Sequence, residues 1–256
     1  MPLSHGRAMA ARLTICPALV PAEAPPVFRM PRLHHFALDP FSRRMRLALA
    51  EYGATVELVD EEPWAPGPAI FALNPAGMLP IFVANDGTAV CGIEAITEYL
   101  EETLGRSGPL IPGDARARAE VRRLIGWFDT KFYAEVSEPV LTEKVIRRFM
   151  PRDAGGGSPD TARVRKSAER LKDHLAYLGS IADRRNWLAG DRLSLADLAA
   201  AAHLSAMDYL GEVPWPDFPS AKHWFQRLKS RPAFRPLLAD TVRGMPAPAA
   251  YADLDF

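Results

Sequence analysis

From residue 31 onward, apolar and polar positions alternate in short runs, and past residue 113 they settle into a 3.6-residue period. Leu33-His34-His35-Phe36 predicts a short buried strand, followed after Pro40 by a helix over about residues 42–52 that ends at Gly53. Val56-Glu57-Leu58-Val59 alternates as a second strand, and the stretch from there to Asn74 reads as a loop. The apolar runs 79–83 and 88–91 flank Asn85-Asp86-Gly87, the pattern of a hairpin closed by an Asp-Gly turn. A helix over about residues 94–102 completes a β-α-β-β-β-α unit. Beyond a Gly/Pro-rich connector at 105–113, Val121, Leu124, Ile125, Phe128 and Phe132 form one apolar stripe on a long helix. A helix over about 138–150 precedes a loop at 151–159 with three consecutive glycines, and another helix carries Leu171, Leu175 and Leu178.

Residues 1–30 keep neither period, and Pro17, Pro21, Pro25 and Pro26 oppose any helix there, so this extension is expected to be disordered. Arg7 and Arg12 ahead of a short apolar stretch, with Ala22-Glu23-Ala24 behind it, also fit a signal peptide; a true start at Met30 fits equally well. A cytoplasmic location is the favoured expectation.

Composition narrows the function classes. The 256 residues are 48% hydrophobic and 24% charged, enough for one sizeable core or two modest ones. Lys plus Arg (31) balance Asp plus Glu (31), so no overall field favours nucleic acid or an anionic membrane. No apolar run approaches the roughly 18 to 20 residues that span a bilayer. Cys16 and Cys91, far apart, supply neither a disulfide scaffold nor a structural zinc site.

Two motifs are specific. In Asn74-Pro75-Ala76-Gly77-Met78-Leu79-Pro80, a proline opens a strand after a glycine turn, the setting in which a cis peptide is kept. Pro80 then turns the Leu79 backbone outward, where it can pair with an extended peptide-like ligand. In Trp187-Leu188-Ala189-Gly190-Asp191-Arg192-Leu193-Ser194-Leu195-Ala196-Asp197, Ser194 and Asp197 have capping-box spacing and start an Ala-rich buried helix over 198–204; their role is structural. With both motifs present, the chain from Pro31 to about Asp240 resembles the cytosolic glutathione transferases. The resemblance implies a thioredoxin-like α/β domain at 31–105, an all-helical domain at 114–240 and a homodimer; the Pro-rich remainder, 241–256, reads as an extended tail.

The transferase pocket is poorly equipped here. Transferases of this type grip the γ-glutamyl carboxylate of glutathione with an acid and a serine ahead of an Ala-Ile pair; here Gly92 and Ile93 precede Glu94-Ala95-Ile96. Each lost hydrogen bond to a charged group costs roughly 1.5 to 3 kcal/mol, so two losses weaken glutathione about a hundredfold or more. Glu94 falls one or two positions late. Asp39-Pro40-Phe41-Ser42 places Asp39 at the cysteine position of the family's C-P-F pattern, where a carboxylate raises the pKa of a neighbouring thiol. Ser42 is the remaining hydroxyl, read either as the helix N-cap or, in an enzyme, as the group that stabilises the thiolate. His34 and His35 are read as packing residues.

Other features suit a protein partner. Trp64, on the loop after strand two, is either a binding anchor or a lid on its own domain. Lys144, Arg147 and Arg148 lie on one helix face, either merely solvated or set to receive an acidic partner. The tail ends in Tyr251-Ala252-Asp253-Leu254-Asp255-Phe256, an acid/apolar alternation that either docks back on the helical domain or waits for a partner. Together with the stretches 119–129, 143–148 and 231–240, these features resemble the transferase-like division proteins of alphaproteobacteria that bind FtsZ filaments. That resemblance implies a dimeric adaptor without a cofactor, recruited to the midcell division site, with Trp64, Lys144, Arg147, Arg148, Asp253, Asp255 and Phe256 at partner contacts. The alternative is an active transferase that uses glutathione.

Overall fold

The computed structural model describes residues 29–255. The expected disordered extension and signal features therefore lie almost wholly outside the described residues, as does Phe256. The first domain runs β1 (Arg32–His35), α1 (Pro40–Glu51), β2 (Glu57–Asp60), α2 (Pro68–Leu73), β3 (Ile81–Val83), β4 (Ala89–Cys91) and α3 (Ile93–Thr103). Its sheet has the order β2-β1-β3-β4, with β1 parallel to β2 and antiparallel to β3. Leu33 pairs with Leu58 on one side and Phe82 on the other. Leu33, Phe82, Met45, Leu49, Ile96 and Leu100 form a small core between the sheet, α1 and α3.

Several expectations are corrected. The span between β2 and Asn74 is not all loop: Pro68 opens the six-residue α2, which buries Ile70. The hairpin, by contrast, turns at Asn85-Asp86-Gly87 as expected: Val83 pairs with Ala89, the Ala84 N–H bonds to Thr88 O, and Gly87 takes φ +89°. Helix α1 begins at Pro40, and its N-cap is Asp39 rather than Ser42: the Asp39 Oδ2 accepts the Ser42 N–H at 2.7 Å. The separate helices expected before residue 150 are one continuous rod. Helices α4 (Ala115–Gly126), α5 (Glu138–Leu141) and α6 (Arg147–Phe149) are joined without a break by two stretches of wider π winding, Trp127–Ser137 and Thr142–Ile146.

Helices α7 (Thr161–Ala182), α8 (Leu195–Tyr209), α9 (Pro219–Lys229) and the short α10 (Arg235–Leu238) complete the second domain. The capping box forms as expected: the Ser194 N–H and Oγ both donate to Asp197 Oδ2 at 3.0 Å. Asp197 Oδ1 also accepts from the Leu188 N–H and Trp224 Nε1. Every residue of α8 is buried, and its run Ala199-Ala200-Ala201-Ala202 lets α1 pack close along it. Leu47 and Ala48 of α1 thereby join the core of the helical domain.

Between the apolar sides of α1 lie three buried arginines. Arg43 is fully buried and donates to Ala37 O at 2.7 Å, Ser205 Oγ at 2.9 Å, Tyr251 Oη at 2.9 Å and Asp240 Oδ2 at 3.2 Å. Arg46 forks onto the same Asp240 at 2.7 and 2.9 Å. Arg44 pairs with Asp129, which in turn lies 3.7 Å from His203.

Breaking a buried ion pair from one side leaves uncompensated charge, typically costing about 3 to 5 kcal/mol. Asp240→Ala is therefore expected to lower the free energy of unfolding by about that amount; a urea midpoint close to wild type would refute the role assigned to this carboxylate. A second expectation concerns pH. Asp39 keeps some access to solvent, yet burial pushes its pKa from 3.8 up to about 6 against the opposing bonds from Ser42. A raised carboxyl pKa means that the native state binds this proton more tightly. The stability it adds is complete below pH 3.8 and is lost as pH rises through about 6. Chemical denaturation between pH 4 and 7 should show wild type losing about 1 to 2 kcal/mol relative to Asp39→Asn, after allowance for residual exposure.

Candidate functional site

Three chain segments carry the positions that the resemblance singled out. The first is the head of α1. Ser42 is fully buried; its Oγ donates to Asp39 Oδ2 at 2.6 Å and accepts the Phe36 N–H at 3.4 Å. Its proton is thus directed to a carboxylate within its own helix cap. Tyr133, which the sequence pattern did not single out, reaches this region from the long helix and packs on Phe41 with ring centroids 4.8 Å apart. Burial, with Asp39 and Glu138 nearby, pushes its pKa up to about 12, so it is a poorer acid than in water.

The second segment is the start of β3, where the Leu79–Pro80 peptide is cis as expected. No backbone hydrogen bond to the Leu79 N–H or C=O is present among the described residues. The third is the head of α3. Gly92 stands at φ +89° with open space where a Cβ would project, a conformation that strains any other residue. Ile93 turns its side chain to the small core, and Glu94 is exposed in the first helical turn. The Leu79 backbone is thus open, while Gly92 and Ile93 place neither an acid nor a hydroxyl at the head of α3.

Both strand histidines are buried. His34 Nδ1 lies 2.8 Å from Glu61 Oε1, and His35 has its pKa lowered to about 4 by burial, with Arg46 adding to the effect. Among the described residues no group of three or more His, Cys, Asp or Glu is placed to hold a metal.

Trp64 is neither core nor free lid. Its ring stacks on Phe149 at 4.7 Å and 20°, and meets Phe36 edge-on at 5.4 Å. These rings line a cleft of about 560 Å3 whose rim carries Asp60, Glu61 and Glu62 as well as Arg148 and Arg243. Phe36 and Trp64 come from the first domain, Phe149 and Arg148 from the end of the long helix, and residues 241–244 from the start of the tail. Arg148 donates to Gly244 O at 2.9 Å. Its neighbours are more occupied: Lys144 is ion-paired with Glu212, and Arg147 Nε lies 3.3 Å from Glu143.

The tail docks back along its length as far as Tyr251: the Val242 N–H donates to Tyr209 Oη at 2.9 Å, and Tyr209 Oη donates to Met245 O at 2.8 Å. Tyr251 is buried; its Oη donates to Leu237 O at 2.9 Å and accepts from Arg43. Beyond it Asp253, Leu254 and Asp255 are exposed, with the Asp255 N–H bonded to Asp253 Oδ1.

Comparison with known proteins agrees with this architecture. Residues 40–103 match the glutathione S-transferase N-terminal domain and residues 138–232 the C-terminal domain. The chain is 47% identical to FtsZ-localized protein A of Caulobacter vibrioides over 88% of its own length and 97% of that protein. It is 30% identical to glutathione S-transferase 3 of Zea mays, over 85% and 95% of the two lengths. The crystal structure of a glutathione S-transferase from Sinorhizobium meliloti superposes with a TM-score of 0.86 at 49% identity, covering 89% of this chain and all of that one. The paired domain matches, the cis Leu79–Pro80 peptide and the capping box at Ser194 and Asp197 make this chain a member of the glutathione S-transferase family.

Proposed function

We propose that this chain is a non-catalytic adaptor that binds FtsZ filaments and supports constriction at midcell in the cytoplasm. The observation that carries the reading is the loss of the γ-glutamyl grip at Gly92 and Ile93 in a chain 47% identical to FtsZ-localized protein A. Ser42 supports it, since a hydroxyl that donates to Asp39 has no proton left to give a thiolate.

The aromatic cleft is the docking site in this reading. Trp64 and Phe149 offer an apolar floor already stacked and ordered, so little side-chain freedom is lost on binding. On the rim Arg148 and Arg243 can meet acidic groups of the filament and Asp60, Glu61 and Glu62 basic ones, with Lys144 and Arg147 behind Arg148. The exposed Asp253 and Asp255, with the terminal Phe256, offer a second, acidic contact. A homodimer presents each surface twice, so contacts of modest affinity add through effective concentration. The cis Leu79–Pro80 peptide, with its backbone groups open, is the feature that favours the alternative of a glutathione-conjugating transferase.

Co-sedimentation with polymerised FtsZ should pellet the wild type, and Trp64→Ala should bind at least about 30-fold more weakly, as loss of an anchoring aromatic does. Equal pelleting would remove Trp64 from the interface. Glutathione titrated calorimetrically should bind no tighter than the millimolar range; micromolar binding with turnover of a generic electrophile would establish the transferase reading instead.

A further inference from the structure

Behind Arg148, the end of the long helix opens into a second cleft of about 550 Å3. One wall carries Lys144, Arg147 and Arg148; the other is the loop after α6, with Arg152 and Ser158. The loop is held tightly against the helix. A Cβ on Gly156 would stand 1.9 Å from the Met150 carbonyl oxygen, and the Gly157 N–H donates to Arg147 O at 2.9 Å. The cleft is thus a shaped feature of the fold.

Its electrostatics are one-sided. Glu143 is the single carboxylate in the lining, and it is almost fully buried. Burial raises its pKa, but the Asp160 N–H, Arg163 and Arg147 outweigh that and hold it ionised, so its charge is already committed inward. Lys144 is drawn partly to Glu212. Among the described residues Arg148 meets only the Gly244 carbonyl, and neither Arg148 nor Arg152 stands in an ion pair. Arg147 Nε is sealed from solvent without a hydrogen bond, 3.3 Å from Glu143 Oε2 but out of line with it. The exposure of the Arg147 side chain therefore lies away from Nε, and a ligand in the cleft meets the rest of its guanidinium.

We propose that this cleft binds a condensed phosphate: pyrophosphate, or the phosphoanhydride chain of a nucleotide. Arginine forks match phosphate oxygens in pairs, whereas lysine acts as a point charge. Glu143 and Glu212 account for two of the four cations around the cavity, which leaves Arg148 and Arg152 unpaired among the described residues, and two free forks suit a ligand with several adjacent negative charges. The volume falls within the about 300 to 1,000 Å3 usual for small-molecule sites. The inference goes beyond filament binding and does not rest on it.

Isothermal titration of sodium pyrophosphate into the full chain at low salt tests it. Saturable one-to-one binding is expected for wild type and for Arg116→Glu, an exposed change at the far end of α4. Arg152→Glu should weaken binding by about tenfold or more and Arg147→Gln severalfold, and added salt should weaken all of them. Thermal melting of each variant separates loss of the ligand from loss of the fold, and Arg147→Gln decides the matter if Arg152→Glu melts early. No saturable heat at millimolar pyrophosphate, equal affinity in both cleft variants and wild type, or tighter binding of a hexaglutamate peptide would overturn the assignment. Filament pelleting is read on Trp64, so the two readings fail separately.

Discussion

The Asp240 carboxylate, shared between Arg43 and Arg46, is the constraint on which the remaining geometry depends. Two guanidinium groups from the first domain are taken out of water and held by one acid from the end of the second. Such burial is tolerable only because nearly every donor of Arg43 is matched, by Ala37, Ser205 and Tyr251 as well as Asp240. The pairing fixes how the two domains meet. It also sets where the tail begins, because residues 241–244 leave directly from Asp240 to line the aromatic cleft. Across this joint Phe36 and Phe149, from different domains, face the same Trp64 ring.

The head of α1 shows how a pocket can change purpose without a change of fold. A residue at the position of Asp39 is free to do chemistry only while the helix is capped by something else. Here the acid caps the helix and binds the Ser42 hydroxyl, so both side chains are consumed by local structure. At the head of α3, glycine relaxes a backbone turn that an acid would have to strain to occupy. What survives is the part encoded in the backbone, the cis peptide before β3.

Strands, α1, the hairpin, the cis proline and the buried α8 were legible because each is written in neighbouring residues: period, cap or turn chemistry. Helix α2 was not, since six residues opened by Pro68 carry too little period to separate from a loop. The long helix misled for a different reason. Leu124, Phe128, Phe132, Val136 and Val140 recur every four residues, a spacing that drifts off one face of an ordinary helix but stays on it where the winding widens. The aromatic cleft was half legible: Trp64 stood out, while its stacking partner Phe149 is brought to it only by the tertiary fold. Least legible were Arg43, Arg44 and Arg46. Three arginines on one short helix look like a solvated face, and only distant acids make them interior.

The bond between Arg43 and Tyr251 spans 208 positions of the chain. At roughly 5 to 20 residues per second, the ribosome reaches that tyrosine some ten to forty seconds after the arginine is made. Throughout that interval the amino-terminal half has a guanidinium that it cannot yet bury in matched surroundings. Emergence of Tyr251 is thus a structural event, and a product terminated before it carries an unsated cation.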